Sequence, residues 1–157
     1  MKRFAIEFGA VLLLAAFMFF MLRDKGTTGV LPSEIEQKLT EAGLLEQMTK
    51  ASDLTVKRNL GLDYEELGDF VYYSSPDFME VRELLIIKTE NDAISQEAER
   101  IVRNRVEERR NVFESYGPEQ FAMLGRAEIY VKDDYLVFIV ADDPAAILSL
   151  IRREVEA

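Results

Sequence analysis

Residues Val81 to Thr89 read V-R-E-L-L-I-I-K-T, and this short apolar run predicts a central β-strand. Side chains two positions apart share one face of a strand, so Glu83 lies on the same face as Leu85 and Ile87. A carboxylate among apolar side chains needs a partner once it is covered, because an unpaired buried charge is very costly. The segment therefore predicts the centre of a sheet and one buried ion pair.

Strand and turn patterns on either side of this run predict two hairpins. Phe70 to Tyr73 is aromatic and β-branched, and Ser74 to Asp77 supplies turn residues before the Val81 to Thr89 strand. Further along, Ala127 to Val131 alternates apolar and polar residues, and Tyr135 to Ala141 is apolar on both faces. Four strands, mainly antiparallel, are therefore expected.

Helix start signals complete the predicted architecture. They occur at Ser33, with Glu36 forming a capping box, at Ser52 or Asp53, at Asn91 or Asp92, and at Asp143 before Pro144. The third helix is long and is expected to run to about Tyr116, before Gly117 and Pro118. The order ααββαββα predicts one α+β domain over residues 33–157, with the helices packed on one face of a four-stranded sheet.

The amino-terminal region has the pattern of a membrane segment. Residues 4–22 are apolar except for Glu7, long enough for a span of about 20 residues, and basic residues flank the run on both sides. We therefore interpret residues 1–25 as a signal anchor, residues 26–32 as a tether and the remainder as an extracytoplasmic domain of a single-pass membrane protein. A cleaved secretory signal, giving a secreted protein, is the alternative, although no small-x-small cleavage pattern follows Leu22.

Composition excludes several functional classes. The chain has no Cys and no His, which removes disulfides, thiolate sites, most zinc sites and the commonest general base. Residues 26–157 carry 15 basic and 27 acidic side chains, a net charge of −12, which disfavours nucleic-acid binding. No nucleophile motif or phosphate loop occurs, so we expect no enzymatic activity, no catalytic residues, no metal and no cofactor.

Two arginines of the long helix fall within its apolar face. At 100° per residue, Arg105 and Arg109 lie close in angle to Ile101 and Val102. A covered guanidinium needs a carboxylate, carbonyl groups or a bound anion, and Glu83 is the natural partner for Arg105. We interpret Glu83 and Arg105 as a bridge between helix and sheet, with the Arg109 head at the rim. The alternative is that Arg105 and Arg109 form a fork for an anionic ligand.

Four segments resemble an uncharacterised family, domain of unknown function 4358, which occurs in clostridia and their relatives. They are Met79 to Lys88 (M-E-V-R-E-L-L-I-I-K), the arginine-bearing helix, Tyr116 to Gln120 (Y-G-P-E-Q) and the strand before Asp142. The resemblance covers about residues 33–156 and implies an extracytoplasmic domain behind a membrane anchor, with no assigned activity. Glu83, Arg105, Tyr116 and Pro118 match recurrent positions of the family whose roles are unassigned.

Three functional hypotheses follow. The leading one is a non-enzymatic domain at the cell envelope, tethered to the membrane through residues 4–22, that binds an envelope protein or a small anionic ligand. The second is a hydrolase of envelope glycan that uses two carboxylates, although Trp, the usual sugar platform, is absent. The third is a sensor in which Arg105 and Arg109 bind an anion.

Overall fold

The computed structural model describes residues 29–157, which form an α+β domain of five helices and five strands. In chain order the elements are α1 (Pro32–Glu41), β1 (Thr49–Lys50), α2 (Asp53–Leu60), β2 (Asp69–Ser74), β3 (Glu83–Lys88), α3 (Asp92–Phe113), α4 (Pro118–Leu124), β4 (Glu128–Lys132), β5 (Tyr135–Val140) and α5 (Pro144–Val155). The predicted signal anchor, residues 1–25, lies outside the described residues. Within residues 29–157, no helix has the length and apolar character needed to cross a membrane.

The strands form one antiparallel sheet in the order β1-β2-β3-β5-β4. Both predicted hairpins are present: Ser74 lies opposite Glu83 in the β2–β3 pair, and Lys132 lies opposite Tyr135 in the β4–β5 pair. Asp133 turns the second hairpin with a φ of 52°, a left-handed conformation that Asp tolerates better than most residues. Strands β3 and β5 are central, and every residue of both is buried.

Helices cover both faces of the sheet, so the predicted one-sided packing is wrong. On one face α2, α3 and α4 pack against residues such as Leu85 and Phe138. On the other face α1 and α5 pack against residues such as Leu84 and Ile139. Because successive side chains of a strand point to opposite faces, apolar runs such as Leu84 to Ile87 in β3 and Tyr135 to Val140 in β5 require cover on both sides. These uninterrupted apolar runs therefore dictate three layers.

The sheet has five strands rather than the predicted four, and the element order also differs from the prediction. The additional strand β1 is only two residues long, with Thr49 opposite Ser74 and Lys50 opposite Tyr73. Two residues carry no recognisable alternation, so sequence patterning does not detect such a strand. The short helix α4 after Gly117 is also an element beyond the predicted ααββαββα order.

The first helix begins earlier than predicted, because Leu31 rather than Ser33 occupies the N-cap position. Pro32 takes the first helical position, where its missing N–H and fixed φ carry no penalty. Glu34 rather than Glu36 closes the first turn, since its carboxylate accepts the Leu31 N–H at 2.8 Å. Glu36 instead accepts hydrogen bonds from the Tyr73 hydroxyl at 2.6 Å and the Lys50 ammonium at 2.7 Å.

The long helix α3 has the predicted start, with the Asn91 side chain accepting the N–H groups of Ala93 and Ile94. It ends at Phe113, three residues before the predicted end near Tyr116. Gly117 permits this ending, because a Cβ there would lie 2.5 Å from the Phe113 ring. The apolar face is also rotated from the prediction, since Val112 is 53% exposed.

Alanine substitutions at two left-handed glycines distinguish the free-energy cost of the backbone conformation from the cost of steric overlap. A Cβ added at Gly61 (φ +72°) would have no neighbour within 4 Å, whereas a Cβ at Gly68 (φ +76°) would lie 2.7 Å from the Lys88 carbonyl oxygen. We expect Gly61→Ala to lower the free energy of unfolding by about 1 kcal/mol. Gly68→Ala should lower it by more than about 2 kcal/mol, measured by urea denaturation. Equal losses would show that the β2–β3 region accommodates the added methyl group.

Candidate functional site

The three residues singled out in the sequence meet in one cluster between β3 and α3. Glu83 is the first residue of β3 and is 1% exposed. Its Oε2 accepts a hydrogen bond from the Arg105 Nε at 2.8 Å, and its Oε1 accepts one from the Tyr72 hydroxyl. Both carboxylate oxygens are therefore used within the protein, as the burial of a charged group requires.

The two arginines also bind backbone carbonyls. Arg105 donates through Nη1 to the Asn59 carbonyl oxygen at 2.7 Å, which connects α3 to the end of α2. One helical turn later, Arg109 donates through Nη2 to the Glu80 carbonyl oxygen at 2.6 Å. The Nη1 of Arg109 lies 3.6 Å from the Glu83 Oε2, so its head joins the cluster instead of extending to the rim.

Burial and charge act on the cluster in opposite directions. Burial lowers the pKa of Arg105, but the charge and hydrogen bond of Glu83 outweigh it and leave that pKa raised. Burial lowers the pKa of Arg109, and the charge of the neighbouring Arg105 lowers it further. The attraction of Glu83 opposes both effects without outweighing them, so the pKa of Arg109 remains lowered. Burial, followed by the charge of Glu83, raises the pKa of Tyr72 well above its usual range, so the phenol stays a hydrogen-bond donor.

The geometry favours a structural role for the cluster over a catalytic one. Hydrolysis by two carboxylates needs a second carboxyl group that faces the first. The groups that donate hydrogen bonds to Glu83 are instead the phenol of Tyr72 and the guanidinium of Arg105. Arg105 borders a cleft of about 210 Å³, but Glu108 lines the same cleft and opposes an anionic ligand. Within residues 29–157, no group of three or more acidic side chains is placed to hold a metal ion.

Sequence reasoning missed three members of the cluster: Tyr72, Asn59 and Glu80. Tyr72 had a detectable signal, because a buried tyrosine hydroxyl usually has a hydrogen-bond partner. In the observed register Tyr72 lies opposite Leu85 and diagonal to Glu83. Glu80 contributes only its backbone carbonyl, which any residue type could supply, whereas Asn59 also donates its side-chain amide to the Tyr72 hydroxyl at 3.3 Å. Both contacts join segments distant in sequence, so sequence patterning has no means of finding them.

Tyr116 and Pro118 lie at the junction of α3 and α4. The Tyr116 side chain is 56% exposed, and its ring centroid lies 5.4 Å from that of Phe113 in a tilted arrangement. Pro118 occupies the first turn of α4, where proline is favoured. Both positions therefore lie at the turn between the two helices.

A second surface feature is an open groove of about 460 Å³ at the β1 edge of the sheet, which we call the β1 groove. Its cations are Lys50 and Arg58, and its rim carries Phe78, which is 86% exposed. The remaining lining residues are small, polar or uncharged: Thr49, Ala51, Ser52, Thr55, Asn59, Ser74, Ser75 and Pro76. The groove is thus lined without a carboxylate in a domain that is acidic as a whole.

The Glu83–Arg105 pair yields a stability prediction. We expect Arg105→Ala to lower the free energy of unfolding by about 3 kcal/mol, because Glu83 loses its main partner while buried. This expected loss lies at the lower end of the range for breaking a buried ion pair, since the Arg105 side chain is 22% exposed. Urea denaturation measures the loss.

Arg103 provides the matched control on the same helix. It pairs with Glu99 at 2.7 Å on the surface, and Arg103→Ala should cost less than about 1 kcal/mol. Adding Glu83→Gln to Arg105→Ala should recover part of the loss by removing the stranded charge. An Arg105→Ala loss no larger than that of Arg103→Ala would contradict the assigned role of the cluster.

Comparison with known proteins gives one result. The model of the family described as domain of unknown function (DUF4358) matches residues 41–141, which span the β1 groove, the Glu83 cluster and the whole sheet. Neither the curated proteins nor the solved structures contain a match to the chain. Because the match covers well over half of the residues, the chain belongs to this family of domains of unknown function.

Proposed function

We propose that this chain is a membrane-tethered, extracytoplasmic binding domain without enzymatic activity, and that the β1 groove binds an acidic segment of an envelope protein. The observation that carries the proposal is the charge of the groove. Two cations and no carboxylate line it, whereas residues 26–157 together have a net charge of −12. An acidic partner is repelled by the net charge of the domain and attracted by the cations of this groove, which gives orientation as well as affinity.

Arg58 is the cation most available for a partner. Within residues 29–157, no carboxylate lies within 4.0 Å of its guanidinium. Lys50 is already paired with Glu36 at 2.7 Å, although its side chain is 59% exposed. Arginine also binds carboxylates in a bidentate manner, which suits recognition of Asp and Glu side chains.

Phe78 and the hydroxyl groups of the groove add contacts of a different kind. An exposed aromatic side chain beside cations is a common anchor at protein interfaces, where aromatic and Arg residues contribute most of the binding energy. The hydroxyl groups of Ser52 and Thr55 bond each other at 3.0 Å, and that of Ser75 accepts the Asp77 N–H at 3.3 Å. Each hydroxyl retains further hydrogen-bonding capacity for the backbone of a bound segment. These features favour a peptide that carries both acidic and apolar side chains.

The absence of enzymatic activity is supported by the Glu83 cluster and by composition. The buried carboxylate of Glu83 accepts hydrogen bonds from Tyr72 and Arg105 rather than being directed toward a substrate. The sequence offers neither His nor Cys as an alternative base or nucleophile. The membrane tether is supported by the apolar run of residues 4–22 and its basic flanks.

Peptide binding tests the groove. The full chain in lipid nanodiscs is titrated with a fluorescein-labelled octapeptide of alternating Glu and Leu, and with one of alternating Lys and Leu, by fluorescence polarisation. We expect the acidic peptide to bind and the basic peptide not to bind. Arg58→Glu should weaken the binding about tenfold, since it replaces an attraction with a repulsion.

Arg126→Glu is the matched control, because Arg126 is exposed, lies between α4 and β4 and makes no ion pair with a described residue. Arg126→Glu changes the net charge of the chain by the same amount as Arg58→Glu, but at a site outside the groove. It should weaken binding of the acidic peptide less than threefold. Equal effects of the two variants, or preferential binding of the basic peptide, would contradict the proposed groove.

Cell fractionation tests the tether. The full chain should sediment with membranes, and removal of residues 1–25 should release the domain into the soluble fraction. Protease added to intact spheroplasts should digest the domain of the full chain, whereas a cytoplasmic marker protein stays intact. Recovery of the full chain in the soluble fraction would contradict the tether.

A further inference from the structure

Strand β4 (Glu128–Lys132) is the outer strand of the sheet on the side opposite the β1 groove. It pairs with β5 through five consecutive residues, without a bulge, and it contains no proline. Within residues 29–157, no strand pairs with its outer edge. A regular edge without a bulge or proline is able to accept another strand, and the charges of Glu128 and Lys132 limit which strands it accepts.

The alternating direction of backbone hydrogen bonds along the strands identifies which N–H and C=O groups of β4 face away from the sheet. Thr89 donates its N–H to the Asp134 carbonyl oxygen at 2.8 Å, so the polar backbone groups of Asp134 face β3. These groups alternate along a strand, so those of Tyr135 face β4 and those of its opposite residue, Lys132, face β5. The same alternation leaves the N–H and C=O groups of Ile129 and Val131 directed away from the sheet.

The sequence of β4, E-I-Y-V-K, carries opposite charges at equal distances from its centre. We propose that β4 pairs with β4 of a second copy of this chain, antiparallel and with Tyr130 on the twofold axis. Glu128 of each copy then lies opposite Lys132 of the other, and the outward groups of Ile129 and Val131 form the ladder. A parallel arrangement in register would instead place like charges opposite each other, which is unfavourable.

The side chains of β4 fit this arrangement on both faces. Val131 is 44% exposed and would be covered by Ile129 of the second copy. Glu128 has no cation within 4.0 Å among residues 29–157. Among the same residues, the Lys132 ammonium has one carboxylate within 4.0 Å, that of Glu156 at 3.8 Å. Pairing therefore supplies Glu128 with a partner and covers an apolar side chain.

The twofold axis through Tyr130 also fixes how the two copies are oriented. A twofold axis perpendicular to the sheet places α1 and α5 of both copies on the same side, where the described chain begins at Gly29. Both copies can therefore be anchored in one membrane. The two β1 grooves lie at the far edges of the combined ten-stranded sheet, where a dimer would present them as a pair.

Cysteine cross-linking tests the register, because the natural chain contains no Cys. In the full chain purified in detergent, Tyr130→Cys should form a disulfide-linked dimer under mild oxidation, since opposed residues on the axis are close enough for a disulfide. Lys132→Cys alone should cross-link at least tenfold more slowly, whereas a mixture of Lys132→Cys and Glu128→Cys chains should cross-link efficiently. Leu54→Cys is the control, because Leu54 is 68% exposed on α2, and it gives the rate of cross-linking by random collision.

Charge reversal tests the pairing without altering Tyr130. Glu128→Lys should weaken dimerisation of the full chain about tenfold or more in sedimentation velocity, because both symmetric attractions become repulsions. Adding Lys132→Glu to the same chain exchanges the two charges and should restore the dimer. A monomeric natural chain at all concentrations, a Tyr130→Cys rate equal to that of Leu54→Cys, or no rescue by the exchange would each overturn the proposal.

Discussion

The structure depends on covering both faces of β3 and β5. Every residue of these two strands is buried, and their side chains alternate between two apolar clusters on opposite sides of the sheet. A single layer of helices would leave half of those side chains in water, at a cost of about 1.5 to 3 kcal/mol for each large apolar residue. Hence α1 and α5 are needed on one face, and α2, α3 and α4 are needed on the other.

The ion cluster of Glu83 is a consequence of that constraint. Glu83 occupies a position of β3 whose face is covered by α3, so its carboxylate cannot reach water. Arg105 supplies the countercharge from α3, and Tyr72 supplies a neutral donor from β2. Because Arg105 also binds the Asn59 carbonyl, the same guanidinium connects the sheet, α3 and the end of α2. Such a polar network favours one arrangement of these elements over alternative packings.

The two edges of the sheet differ in a way that suits different partners. At the β1 edge, a strand of only two residues is followed by helix α2, and the edge opens into a groove with cationic and aromatic side chains. At the β4 edge, five regular residues with opposite charges at their ends offer backbone groups to another strand. Side-chain recognition is proposed for the first edge, and backbone pairing is proposed for the second. The acidity of the rest of the surface limits unspecific association at either edge.

The sequence alone determined the α+β class, both hairpins and the proximity of Glu83 to Arg105, because these follow from periodicity and from the need to neutralise a covered charge. Only the tertiary structure decided the second helical layer, strand β1 and the carbonyl partners of Arg105 and Arg109. A two-residue strand has no period of its own, and any residue type can supply a backbone carbonyl. Those features therefore arise from the arrangement of distant segments in space, which no local pattern in the sequence records.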